Sequence, residues 1–185
     1  MIADVISDAG RRMDRAVENS AAEFQTIRTG RANPALFERL EVLYYGNPTP
    51  LQSLASVVVR EARTIMITPY DRSAMSAIEK AIRNSDLGVN PSDDGAVIIV
   101  NLPELTAERR KEYVKLARNR AEEGRVAVRQ VRHKARETLA RIVKDGEAGE
   151  DEVDKAQAKL DSMTKSRVAK IDELLAHKEA ELLEV

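Results

Sequence analysis

The feature that most constrains this chain is an uninterrupted, proline-free stretch from Thr106 to Lys144 whose small and apolar residues recur in steps of three and four. Val114, Ala117, Ala121, Gly124, Val128, Val131, Ala135, Leu139 and Ile142 trace that seam. The spacing predicts one long helix of about ten turns, packed along one side against other helices. Beside the seam, Lys111, Arg118, Arg125 and Arg132 recur every seven residues, and Lys115, Arg129 and Arg136 stand three or four positions from them. Residues at these spacings share a helix face, so the expectation is a rod carrying a ladder of cations.

A near-neutral total hides this local charge. The 185 residues carry a net charge of −1. Residues 104–144 contribute thirteen basic against six acidic side chains, net +7, and residues 145–185 six basic against twelve acidic, net −6. Such an arrangement has two readings. Either the neighbouring helices neutralise each other, or the basic face is kept for a polyanion.

The flanking segments supply partners for the rod. Ile2, Ile6, Ala9, Met13, Ala16, Ser20, Phe24 and Ile27 form a first helical face that stops near Gly30. Gly146 and Gly149 interrupt the second helix, and Glu150, Asp151 and Glu152 then place negative charge at the start of a third, where the helix dipole favours it. Val153, Ala156, Leu160, Met163, Val168, Ile171, Leu175 and Leu182 mark its buried side. Three amphipathic helices, each too polar to be buried all round, predict a bundle formed by residues 1–30 and 104–185.

Residues 31–103 change period. Leu40 to Tyr45, Ala55 to Val59, Thr64 to Thr68 and Ala96 to Asn101 are short runs rich in β-branched residues and read as strands. Gly46-Asn47-Pro48, Pro69 and Asp93-Asp94-Gly95 punctuate them, and Ala74, Ile78, Ala81 and Ile82 mark a helix ended by Gly88. The expected fold is therefore α+β, an elongated three-helix bundle with a small inserted α/β domain. The chain crosses between the two at Thr29-Gly30-Arg31 and Leu102-Pro103-Glu104-Leu105, a two-stranded hinge or a fixed junction.

Catalytic chemistry finds little support. His133 and His177 are the two histidines, both on polar helix faces, and no His/Asp/Glu cluster has metal-ligand spacing. No glycine-rich phosphate loop is present, so no cofactor is expected and nucleotide hydrolysis would belong to a partner. Asp93-Asp94-Gly95 reads as a hairpin turn. With no cysteine and no stretch approaching a membrane span, the expectation is a soluble cytoplasmic protein.

Several motifs follow one another in order along the chain. They are Arg28-Thr29-Gly30-Arg31-Ala32-Asn33-Pro34, Val42-Leu43-Tyr44-Tyr45-Gly46, Ile78-Glu79-Lys80-Ala81-Ile82 and Ser85-Asp86-Leu87-Gly88-Val89-Asn90-Pro91. Further on come Leu105-Thr106-Ala107-Glu108-Arg109-Arg110-Lys111, Arg125-Val126-Ala127-Val128-Arg129 and Lys178-Glu179-Ala180-Glu181. Together these motifs resemble the ribosome recycling factor family, bacterial type; the resemblance thins over residues 145–166, and His133-Lys134 replaces the Arg-Asp that often follows Arg132 in the family.

The resemblance implies an L-shaped molecule without enzymatic activity. It would bind the post-termination ribosome across the A and P sites on the large ribosomal subunit. With elongation factor G and GTP it would then split that ribosome in two. By position, Arg28, Arg31, Arg110, Arg129 and Arg132 match family residues expected to contact ribosomal RNA; Lys111, Arg118 and Arg125 join them from the heptad geometry. The expected state is a monomer. The rival reading is a helical protein-binding scaffold, which would show a weaker salt dependence than phosphate binding.

Overall fold

The computed structural model describes residues 1–184 and divides into two compact units. One comprises Met1–Ile27 with the chain from Lys111 onward; the other is Arg28–Arg110.

The first unit is helical. Helix α1 spans Ile2–Gln25, α5 Ala107–Lys144 and α6 Glu150–Leu183. The first residues of α5 belong to the second unit and the helix continues without a break into the first. Thr106 starts α5 by accepting a hydrogen bond from the Arg109 amide at 3.1 Å, which satisfies one of the free donors of the first turn. At the other end Gly146 adopts φ +72°, and the amides of Gly146 and Glu147 return to the carbonyls of Val143 and Ile142, each at 3.0 Å. This paired closure needs a left-handed residue, which glycine supplies without a Cβ penalty.

The seam read from the sequence is the seam that packs. Ile6, Ala9, Met13, Ala16, Phe24 and Ile27 are buried, as are Ala117, Ala121, Gly124, Val128, Ala135, Leu139 and Ile142 on α5. On α6 the buried line is Val153, Ala156, Leu160, Thr164, Ile171, Lys178 and Leu182. Met163, Val168 and Leu175, expected on the buried side, are only half-covered, while the polar Thr164 and Lys178 are buried. Thr164 turns its hydroxyl back onto the Leu160 carbonyl at 2.8 Å, and Lys178 bonds Glu181 at 2.9 Å. Self-satisfied polar groups can be buried at little cost, a possibility that hydrophobic periodicity does not register.

The second unit is built on an all-antiparallel sheet. Strands β3 (Ala55–Glu61), β4 (Thr64–Pro69), β5 (Pro91–Asp93) and β6 (Ile98–Asn101) lie in the order β3-β4-β6-β5, and β1 (Glu41–Tyr44) and β2 (Asn47–Pro50) form a separate hairpin. Ile65 and Ile67 of β4 and Ile98 and Val100 of β6 alternate onto one face. There they meet Phe37, Val42, Leu51, Ile78 and Ile82 in a single aliphatic core. Ile78 and Ile82 come from α4 (Met75–Arg83); Phe37 and Leu51 come from the one-turn helices α2 (Ala35–Glu38) and α3 (Leu51–Leu54).

Four of these elements escaped the sequence reading. Asn47-Pro48 reads as a turn, but Asn47–Pro50 forms strand β2, because the turn is tightened into Tyr45-Gly46 with φ of +49° and +78°. Pro91–Asp93 pairs as a three-residue edge strand, where a proline removes no needed donor. The one-turn helices α2 and α3 are too short to show a period. Helix α4 closes at Asn84, four residues before Gly88.

Candidate nucleic-acid interface

Helix α5 positions most of the cations singled out from the sequence, and their surroundings separate them. Arg118 lies 2.6 Å from Glu179 of α6, Arg125 2.6 Å from Asp172 and Arg136 2.7 Å from Asp161. At these rungs carboxylates of α6 partner the cations, as the neutralising reading of the charge expects. A buried seam between two antiparallel helices brings the flanking columns within reach of each other, and opposite charges there close into pairs.

Arg125 is the most enclosed rung, its side chain 20% exposed against 65% for Arg118. Burial works against its charge, but the hydrogen bonds it donates to Asp172 and Glu122 outweigh this and push its pKa up. Glu122 serves two arginines, at 3.0 Å from Arg125 and 3.4 Å from Arg129. Arg129 is therefore only loosely held and nearly half exposed.

Arg110, Lys111 and Arg132 complete the α5 group. They make no side-chain ion pair among the described residues. Arg132 is half-buried, and its guanidinium has no carboxylate partner among the described residues. Helix α5 thus carries both readings of its charge, with Arg118, Arg125 and Arg136 neutralised by α6 and Arg110, Lys111 and Arg132 left available.

Arg28 and Arg31 belong to the second unit. Arg28 donates to the Leu87 carbonyl at 2.7 Å, which fastens the segment entering this unit to the loop after α4. Arg31 is exposed. Both crossings converge on the β3–β4 turn: the Ala32 amide bonds the Ala62 carbonyl at 2.7 Å, the Leu102 amide bonds the Arg63 carbonyl at 2.8 Å, and Arg63 pairs with Glu104 at 2.9 Å. Gly30 adopts φ +82° beside Leu105, so the Thr29-Gly30-Arg31 segment lies next to Leu102–Leu105.

The Asp93-Asp94 pair takes the structural role of a hairpin turn. Asp94 accepts from the amides of Val97 and Ala96, at 2.9 and 3.0 Å, which close the β5–β6 hairpin and hold its carboxyl below the usual carboxylate range. Asp93 shares a hydrogen bond with Glu79, and that contact, with some burial, raises the Glu79 pKa. His133 and His177 are exposed and face Glu137 and Glu181 one turn away. Tyr44 stacks edge-on against exposed Tyr45 and donates to Asp71 at 3.1 Å. Among the described residues no group of three His, Cys, Asp or Glu side chains is arranged to hold a metal ion, and no helix is long and apolar enough to cross a membrane.

One unit is a helical bundle with a long cation-bearing helix, and the other is a small antiparallel sheet unit. The family model described as ribosome recycling factor matches residues 20–183. The ribosome-recycling factor of Beutenbergia cavernae is 61% identical over 185 residues and that of Kineococcus radiotolerans 59%, each over the full length of both chains.

Among solved structures, the solution structure of a ribosome recycling factor aligns with TM-score 0.78 at 40% identity, covering 100% of this chain and 98% of the other. A second alignment, with TM-score 0.70 and 41% identity over the whole of both chains, is to a study of Thermus thermophilus ribosome recycling factor and elongation factor G on the post-termination complex of E. coli. The chain belongs to the ribosome recycling factor family. It is a translation factor of ribosome recycling and not an enzyme.

Proposed function

We propose that this protein binds the post-termination ribosome as a monomer, across the A and P sites on the large ribosomal subunit. With elongation factor G and GTP it splits the ribosome in two in the cytoplasm. The cations of α5 grip ribosomal RNA, with Arg28 and Arg31 contributing from the sheet unit and the crossings at Thr29-Gly30-Arg31 and Leu102–Leu105 serving as the hinge. The observation that carries the reading is Arg132, a guanidinium held on a rigid 38-residue helix without a carboxylate partner among the described residues.

Arginine keeps its charge at any physiological pH and presents a planar fork of donors matched to phosphate oxygens. A helix of this length, about 57 Å, reaches between separate RNA elements. Affinity then comes from backbone charge and shape, since the deep groove of duplex RNA excludes side chains. Rung arginines already closed onto α6, Arg118 and Arg125, stiffen the strut and add less to RNA affinity than Arg132, Arg129, Arg110 and Lys111.

Light scattering of post-termination ribosomes mixed with this protein, elongation factor G and GTP tests the function. Splitting that requires all three supports it; splitting at the same rate without this protein refutes it.

A further inference from the structure

The ion pairs between α5 and α6 keep a constant antiparallel register. The step from Arg118 to Arg125, seven residues forward on α5, is matched by seven residues back on α6, from Glu179 to Asp172. The step from Arg125 to Arg136, eleven forward, is matched by eleven back, from Asp172 to Asp161. Two regular helices of equal rise hold such a correspondence along their whole contact.

Arg132 stands seven residues beyond Arg125. The residue seven before Asp172 is Lys165. Heptad spacing keeps Lys165 in the column of Asp172 and Glu179, and a four-residue spacing places it one turn from Asp161. At this level the ladder therefore sets a cation against a cation, between two rungs that set a cation against a carboxylate.

Neighbouring acids do not relieve it. Asp161 has both carboxylate oxygens at 2.7 Å from Arg136, and Asp172 is taken by Arg125. Lys165 is exposed, and neither it nor Arg132 makes an ion pair among the described residues. Arg129, one turn before Arg132, adds a third cation with only a long 3.4 Å contact to Glu122.

We propose that Arg132 and Lys165, with Arg129 beside them, form a phosphate-binding site for the RNA backbone that spans α5 and α6. The site rests on the ribosome-binding reading above and extends it to a second helix. Like charges fixed on facing helices repel until an anion enters between them, so the bundle holds in place a positive step that a phosphate neutralises. The phosphate in turn displaces counterions from the nucleic acid, which makes the contact visible as salt dependence.

The test uses the full chain and purified large ribosomal subunits. Lys165→Gln is expected to weaken binding and to lower the slope of log affinity against log salt by about 0.7–0.9, the contribution of one phosphate contact. Lys165→Glu makes the step an opposite pair with Arg132; it is expected to weaken binding further while raising the melting temperature of the free protein by about 1 °C or more at low salt. Lys159→Glu, an equal charge change among residues that line the α1–α6 groove, serves as the control and is expected to bind as the parent does.

If Arg132→Glu loses binding while Lys165→Gln keeps the parent affinity and slope, the α5–α6 site is overturned and the ribosome-binding reading stands. If the parent chain does not bind large subunits, both fall. A Lys165→Glu variant with unchanged or lower stability at low salt would overturn the like-charge step itself.

Discussion

Gly124 of α5 sits against Ser20 of α1 so closely that a methyl group at position 124 would overlap the serine hydroxyl, with Ile171 of α6 only 3.1 Å from it on the other side. All three bundle helices meet at this point, and the absence of a side chain at 124 sets their separation. Gly124→Ala is expected to destabilise the protein by about 1–3 kcal/mol through overpacking, although alanine favours an isolated helix by about 1 kcal/mol. Thermal or denaturant unfolding measures it. Adding Ser20→Ala, which removes the overlapping hydroxyl, is expected to recover most of the loss.

The α5–α6 rungs differ in worth. Arg125–Asp172, with its arginine largely enclosed, is expected to show a coupling energy of about 1 kcal/mol in a double-mutant cycle, and exposed Arg118–Glu179 about 0–0.5 kcal/mol. Unfolding of the single and double alanine variants in 50 mM salt gives both numbers, and the second should shrink further in 500 mM salt.

Arg132→Glu is expected to lower ribosome affinity at least tenfold with helical circular dichroism unchanged, since the side chain makes no internal ion pair to lose. Arg118→Ala should lower it much less. Equilibrium binding to the large ribosomal particle at two salt concentrations separates them, because only the variant that removes a phosphate contact changes the salt slope.

Two turn carboxylates predict a pH dependence. The Ser73 amide and hydroxyl, and then the Tyr44 hydroxyl, hold Asp71 below its usual pKa; the Val97 and Ala96 amides do the same for Asp94. A carboxyl depressed in the folded state contributes stability above its unfolded value of about 4, and that contribution is lost as pH falls through the folded value. Stability measured from pH 5 down to pH 2 should therefore fall less steeply in an Asp71→Asn, Asp94→Asn double variant than in the parent. Glu79, raised by Asp93, tilts the curve oppositely and is common to both proteins.

Gly30→Ala is expected to cost about 1–2 kcal/mol from backbone strain alone, because φ is +82° while the nearest side-chain atom, Leu105 Cγ, would lie 3.5 Å from the new methyl, an ordinary contact. Denaturant unfolding checks the cost. Gly30→Asn, which tolerates the left-handed region better, should cost less.

The bundle was legible because its signal is repeated. Nine seam positions of α5 agree on one face, and every one of them is buried or half-buried. The same logic failed for Thr164 and Lys178, whose burial depends on bonds to Leu160 and Glu181 that a pattern of apolar residues does not encode. Elements of three or four residues, such as Pro91–Asp93 and Leu51–Leu54, were missed because they hold together through their neighbours rather than through a period of their own.

The charge ladder marks the division most sharply. Sequence alone determined that α5 carries its arginines in a heptad column, since helical periodicity is a local property of the backbone. Only the tertiary structure decided which of them keep a free guanidinium, because that depends on the register of α6: Glu179 and Asp172 pair with Arg118 and Arg125, and that register carried seven residues further sets Lys165, not a carboxylate, against Arg132. Whether a cation is available depends on what stands across the interface, and residues far apart in the chain come to face each other only when the bundle closes.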